Sequence, residues 1–332
     1  MDFTRLAGLA GGHAEARAIQ VALKLGFFEF LKEESHDAAW LARTSGCNPR
    51  ATMLLANALV ALGLLELIDA RYRLTEASRA MLLEGSPEYL GGMILFDGGL
   101  WETWGRLEES IRTGEPGRSP DMYQSRPEET ARFIRAMDSL VRARGDAAYV
   151  ANHLDLGFAH TIVDLGGGPG TYLIELLRRN THARGAIYDL PATLEVARQV
   201  ISDRAPWALD RIDLRAIDYR AGELPSGLDV IFMSNIIHSE DEETNAALMA
   251  KSFRALNRGG LIVIKDHLMN DALTEPSAGA VFSLYLLLTT RGRDYSLAEV
   301  SEWLDAAGFS DVKHEALPSP PFTSSMVLGR KK

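Results

Sequence analysis

From residue 160 onward the chain alternates short apolar stretches with helical ones, and no other feature limits the architecture as much. TIVDL, GAIYDL, IDLRAID, LDVIFMS and GGLIVIKD read as strands, while TYLIELLRRN, PATLEVARQVI and DEETNAALMAKSFRAL carry helical periodicity. Strands joined through helices pair in parallel, and a parallel sheet must be covered on both faces. The expected class is therefore α/β with a mostly parallel sheet. Capping boxes are expected at Ser239 with Glu242 and at Ser296 with Glu299, with Gly259 and Gly308 where those helices stop. DVKHEAL and TSSMVLG then supply a closing antiparallel pair.

Residues 13–150 have a different rhythm, helical almost throughout. Asn48 before Pro49 is an N-cap with proline in the first helical position. Leu54, Leu55, Ala58, Leu59 and Leu62 follow at the spacing of one buried helix face, and Gly63 ends the helix. LLELIDARYRL then reads as two short strands around a turn, so the segment has the pattern of a winged helix. Its second helix is a poor DNA reader, because Arg50 is the only cation between Arg43 and Arg71 and groove recognition needs several. So apolar a surface is better suited to packing against a second copy of the chain.

Length and charge narrow the classes further. A chain of 332 residues, 46% of them apolar, has room for two domains with proper cores. The net charge of −10 disfavours nucleic acid or an anionic membrane as partner. No apolar run approaches the ~20 residues of a membrane span, the N-terminus lacks a secretory signal, and Cys47 is the only cysteine. A soluble, cytoplasmic protein is the expectation.

The stretch Val163-Asp164-Leu165-Gly166-Gly167-Gly168-Pro169-Gly170 follows a strand and opens a helix, the setting in which a glycine turn lets a ligand lie against bare backbone. As a dinucleotide fingerprint it is imperfect, since Thr171 takes the place of the third glycine, and no lysine follows in P-loop position. Asp164, Asp189 and Asp218 stand at successive strand ends around that turn. An acid at the Asp189 position can accept hydrogen bonds from the hydroxyls of a ribose. Three acids together form a rim that attracts a sulfonium and repels a pyrophosphate, unless they serve only as caps of the following helices.

VDLGGGPG, YDLP, IDY and FMSNIIHS together resemble the motifs of plant-type O-methyltransferases, a family that includes caffeate and acetylserotonin O-methyltransferases and many bacterial natural-product enzymes. The resemblance spans essentially the whole chain. It implies a winged-helix dimerisation domain over 1–105, linking helices over 106–150 that contribute to an acceptor pocket, and a class I, Rossmann-like methyltransferase domain over 151–332. It implies a homodimer, S-adenosylmethionine as methyl donor and a small-molecule acceptor. By the same resemblance Gly166, Gly168 and Asp164 meet the methionine part of the donor. Asp189 and the adjacent Leu190 meet ribose, and Asp218 and Tyr219 flank adenine. Ser234 falls where plant members carry a lysine that serves the donor.

His238 follows the fourth strand at the carboxyl edge of the sheet, where open α/β folds bind ligands. Taken alone it reads more readily as a structural histidine than as a catalytic one; in the resemblance it takes the position of the general base. Asp266 and Asp294 match positions where plant enzymes carry glutamates that hold the base, one methylene longer than here. His267 is outside that pattern. With His238 and Asp266 it makes a possible metal set only if adjacent strand residues both turn inward, so no metal is assigned. Trp101, Trp104, Phe133, Met137 and the FSLYLLL segment with Phe282 and Leu286 are apolar enough to enclose a flat acceptor, or simply to fill a core. The resemblance puts the segments with Phe133–Met137 and Phe282–Leu287 along the acceptor site. The implied activity is methyl transfer to a phenolic or enolic hydroxyl of a small aromatic metabolite. The alternatives are C- or N-methylation, such as metal-assisted methylation of a 2-oxo acid, and a winged-helix regulator that binds the donor without turnover.

Overall fold

A computed structural model describes residues 1–121, 123–318 and 324–332. The chain forms two compact units, one of Met1–Trp101 with Arg142–Arg144, the other of Glu102–Val141 with Gly145–Lys332. Helices 106–141 therefore belong to the same unit as the sheet.

In the first unit a long helix, Phe3–Lys24, leads to helices Ala38–Ser45 and Pro49–Ala61. An antiparallel hairpin of β1 (Leu65–Ile68) and β2 (Arg71–Leu74) follows, which completes the winged helix. The Asn48 side chain accepts a hydrogen bond from the Ala51 amide at 3.1 Å, with Pro49 in the first turn, and Gly63 takes φ +74° just past the helix end. The buried face of this helix differs from the expected one. Thr52, Ala56 and Leu59 point inward, while Leu54 is 53% exposed and Ala58 faces outward. The leucine spacing fits two faces about equally, and the core formed by Phe27, Phe28, Leu31 and Leu41 selects one of them.

The second unit is built on an eight-stranded sheet: β3 (Thr161–Leu165), β4 (Arg184–Asp189), β5 (Ile212–Ala216), β6 (Leu228–Ser234), β7 (Leu256–Met269), β8 (Tyr295–Ser296), β9 (Ser310–Ala316) and β10 (Ser324–Arg330). The order is β5-β4-β3-β6-β7-β10-β9, with β8 added to the far end of β7. β3 through β7 pair in parallel, and β10 closes antiparallel between β7 and β9. Thr323, the first residue of the expected closing strand, lies outside the described residues. Alternate residues feed opposite cores. Ile162, Val230, Phe232 and Val263 pack with Leu173 and Ala197, whereas Val163, Ile231, Met233 and Ile264 pack with Leu248 and Val300. The order in which strands are added reverses at β3, running outward to β4 and β5 on one side and to β6 and β7 on the other. The crevice at the carboxyl ends of β3, β4 and β6 is therefore the topological switch point where such sheets bind ligands.

Several local expectations change. Ser296 and Glu299 form the capping box, but the earlier helix, Glu242–Ala255, is capped by Asp241, which accepts from the Thr244 amide. Ser239 sits instead in a 3-10 turn, Ile237–Ser239. Gly259 lies within β7, because that strand begins at Leu256 directly after the helix, whereas Gly308 is a left-handed C-cap as expected. Asp218 stands two residues beyond β5, and β7 runs past Asp266 and His267 to Met269.

Candidate functional site

The donor-side cradle is the β3 turn. Gly166, Gly168 and Gly170 all take positive φ, the conformation that excludes most side chains. A Cβ on Gly167 would lie 2.6 Å from Cγ of Asp164, so the turn is folded onto that carboxyl. Asp164 is accordingly not on an open rim: it is 1% exposed, and burial with the nearby Asp189 charge pushes its carboxyl up to about 8. Asp189 accepts from the Gly168 amide at 2.8 Å and from the Leu190 amide at 2.7 Å. It thus ties the turn to the end of β4. Burial raises its pKa, and those amides only partly oppose the rise. Leu190 is the N-cap of the next helix. Asp218 is more open, accepting from the Arg220 amide at 3.0 Å and pairing with Arg220 Nε at 3.4 Å. The Tyr219 ring lies 3.8 Å from the Cβ position of Gly166, and its hydroxyl donates to Glu240 at 2.7 Å.

The roles of four residues around this cradle were missed by the sequence reading. Thr171, at the place of the absent third glycine, donates to Asp138 at 2.6 Å, and Arg204 pairs with the same carboxylate. The helix Pro127–Arg144 is thereby fixed against the start of the helix Thr171–Arg179 that follows the glycine turn. The fourth is Lys265, wholly buried in β7 and in register with Ser234 of β6. The chain thus has a lysine beside Ser234, carried by the neighbouring strand. Its Nζ is 3.5 Å from Asp146 and 3.3 Å from Oδ1 of Asn235. Asn235 has φ +57° and donates its amide to the Lys265 carbonyl at 2.8 Å. This pairing ends β6 sharply and starts the turn that carries His238.

His238 is buried, with Nδ1 2.7 Å from Asp266 Oδ1. The same oxygen accepts from the His267 amide at 2.8 Å. Burial lowers the pKa of His238, but the Asp266 charge and hydrogen bond, helped by Asp294, outweigh it and leave it raised. For Asp266 burial pushes upward, and the two histidines more than reverse it. Asp294 is 1% exposed, and neither of its carboxylate oxygens has a hydrogen-bond partner among the described residues. Burial raises it to about 7, with Asp266 adding and His238 subtracting. Gly292 makes this approach possible: a Cβ there would lie 2.6 Å from the Glu240 carbonyl oxygen, so the loop presses flat against the His238 turn. Ile236, two residues before His238, places Cγ1 3.1 Å from the Cβ position of Gly166, so the histidine turn abuts the donor turn directly.

Aromatic rings extend from this point. Phe282, on the helix Ser277–Thr289, stands edge-on to His238 and to His267 with centroids 5.5 Å away in each case, and stacks on Tyr285 at 5.4 Å. Trp104 follows at 6.5 Å from Tyr285. The Tyr285 and Tyr123 hydroxyls are 2.8 Å apart, and Phe133 lies 4.7 Å from Tyr123. Met137 is half-buried one turn beyond Phe133, while Leu286 is 1% exposed. Trp101 belongs to the other unit, where its indole donates to Gln20 at 2.7 Å. Tyr285 lies within the FSLYLLL segment expected along the acceptor site, whereas Tyr123 was missed because a lone tyrosine in a loop carries no pattern of its own.

Residues 114–310 match an O-methyltransferase domain family and residues 7–84 an O-methyltransferase dimerisation domain. The chain is 35% identical to a 3-hydroxy-5-methyl-1-naphthoate 3-O-methyltransferase of Streptomyces sahachiroi, covering 99% of this chain and 95% of that one. It is 32% identical to a tetracenomycin polyketide synthesis 8-O-methyl transferase of Streptomyces glaucescens, over 95% and 93% of the two chains. The fold superposes on human N-acetylserotonin methyltransferase in complex with S-adenosylmethionine with a TM-score of 0.89, at 24% identity and coverage of 100% and 98%. A glycine turn folded over buried acids, a histidine–aspartate pair abutting it and family matches over both units lead to one conclusion: the chain belongs to the S-adenosylmethionine-dependent O-methyltransferase family.

Proposed function

We propose that the protein methylates a hydroxyl on a flat, fused-ring aromatic acceptor, with His238 as general base. The observation that carries this reading is the buried His238–Asp266 hydrogen bond of 2.7 Å in a turn that touches the donor cradle. The donor-side residues fit S-adenosylmethionine: Asp189 offers a carboxylate beside bare glycine backbone for ribose, and Asp164 a buried acid for the cationic methionine end. Leu190, Asp218, Tyr219 and Ser234 complete that side. When bound, the donor supplies an electrophilic methyl group.

The chain's own residues do the rest. Asp266 holds Nδ1 and so leaves Nε2 of His238 to take the hydroxyl proton as the oxygen attacks the methyl carbon. The new O–CH3 bond forms as the S–CH3 bond breaks, its electron pair stays on sulfur, and the proton on His238 passes to water. Asp266, held ionised, stabilises the imidazolium, and Asp294 adds a carboxyl that titrates near 7. Trp104, Tyr285, Phe282, Phe133 and Met137, with Leu286 behind them, line the acceptor side. The linking helices over 106–150 thus contribute to the pocket in this reading, and the N-terminal unit supports a homodimer. The run of rings from Phe282 to Trp104 suits more than one fused ring, and the naphthoate and tetracenomycin relatives act on such compounds by name. A donor-binding regulator without turnover has no use for a buried base with its orienting acid.

His238→Ala is expected to lower turnover about 10²–10⁴-fold with donor affinity intact. The deficit shrinks for an acceptor acidic enough to ionise unaided. Wild-type turnover of the variant on a weakly acidic naphthol, followed with isotopically labelled donor, would overturn the base assignment.

A further inference from the structure

We propose that His238, His267 and Asp294 form a binding site for one divalent transition-metal ion, zinc(II) being the best chemical match, and that its occupancy silences the enzyme. One nitrogen from each imidazole and one oxygen of Asp294 lie within 4.8 Å of one another, and all three side chains are buried. Two nitrogens and a carboxylate oxygen suit zinc, cobalt or iron(II), whereas magnesium and calcium favour oxygen alone.

Bond lengths of about 2.0–2.2 Å put ligand atoms of a tetrahedral zinc about 3.4 Å apart. Small side-chain rotations therefore close the set. Two further observations point to a cation. The carboxylate oxygens of Asp294 lack any hydrogen-bond partner among the described residues, a costly state for a buried acid that a metal ion resolves. Asp266 engages His238 through Nδ1 at 2.7 Å, the outer support that metal-bound histidines have almost without exception. Phe282 packs edge-on to both imidazoles and shields them from water.

Strand alternation argued against a set of His238, Asp266 and His267. Here Asp266 stays outside the set, hydrogen-bonded to His238, and Asp294 from a different segment takes the third place. The ion takes Nε2 of His238, the same lone pair that accepts the acceptor's proton, so metal and turnover exclude each other. Binding itself does not depend on His238 being the base.

The test uses the full-length protein, freed of metals with a chelator that is then removed, and titrated with cobalt(II) alone. One equivalent giving visible d–d absorption bands, displaced by zinc(II), is expected. His267→Gln or Asp294→Asn should weaken cobalt binding at least tenfold, and Asp266→Asn about 10–100-fold, each variant first shown to melt like wild type. Zinc should inhibit methyl transfer competitively with the acceptor, and chelation should leave turnover intact. No bands at millimolar cobalt, or undiminished binding in both folded variants His267→Gln and Asp294→Asn, overturns the site. Turnover that chelation abolishes and zinc restores overturns the silencing role and counts against the base assignment, whereas His238→Ala, which removes a ligand, should weaken cobalt binding at least tenfold whether or not His238 is the base.

Discussion

Whether His238 works as a base depends on how its environment sets its charge. Burial lowers its pKa, but the Asp266 contact wins and holds it above the ordinary value of about 6.5. Only the neutral imidazole accepts a proton, so turnover is expected to rise with pH through a pKa above that value. Asp266→Asn removes the raising contact while burial persists. The acid limb should then move to lower pH even as the maximum falls, because the imidazolium loses its stabilising charge. A pH–rate profile whose limb stays put, or moves upward, contradicts the pairing. Asp189 carries the matching prediction on the donor side. It holds the Gly168 and Leu190 amides at 2.8 and 2.7 Å. Asp189→Ala is expected to weaken S-adenosylmethionine binding by roughly 1–3 kcal/mol, the cost of buried partners left unsatisfied. Calorimetry on the folded variant showing unchanged affinity would remove it from the site.

At the scale of elements, the loop of residues 290–294 decides whether Asp294 reaches the histidine. Gly292 is packed against the backbone of residues 238–240 so closely that a methyl group has no room. Gly292→Ala is therefore expected to push the loop outward and lower turnover at least tenfold, with donor affinity unchanged; turnover within a factor of two of wild type argues that the Asp294 position is not needed. This contact also shows what a sequence can and cannot reveal. The β-α alternation, the glycine turn and its acids, the winged helix and the Ser296 capping box were legible because each is a local pattern. The Lys265–Asp146 pair, the Thr171–Asp138 strut and the Tyr123–Tyr285 hydroxyl pair were not, because each joins residues far apart in the chain. The same holds for the capping of Glu242–Ala255: Ser239 was the expected cap, but it is held in the Ile237–Ser239 turn and Asp241 takes the role.

For the whole molecule the question is what covers the apolar surface of the N-terminal unit. Phe3, Leu6 and Leu9 are 85, 57 and 67% exposed on one long helix, and Met53 and Leu54 are 41 and 53% exposed on another. Each large apolar side chain withdrawn from water contributes about 1.5–3 kcal/mol, so a handful suffices to favour association. Residues 7–84 match a dimerisation domain, and the chain is expected to be a homodimer through this unit at micromolar concentration. Charge gives the prediction a sign that a generic sticky surface lacks. Each copy carries a net charge of −10, so two copies repel at low ionic strength, and an interface built on apolar contacts gains when salt screens that repulsion. Sedimentation or light scattering should show the dimer tightening between low and moderate salt, where an ion-paired interface would loosen. The double variant Leu6→Glu with Leu9→Glu should be monomeric without loss of helix content, since both positions are already exposed in the single chain. A wild-type protein that stays monomeric and fully active under these conditions, or a double variant that still dimerises, places the interface elsewhere.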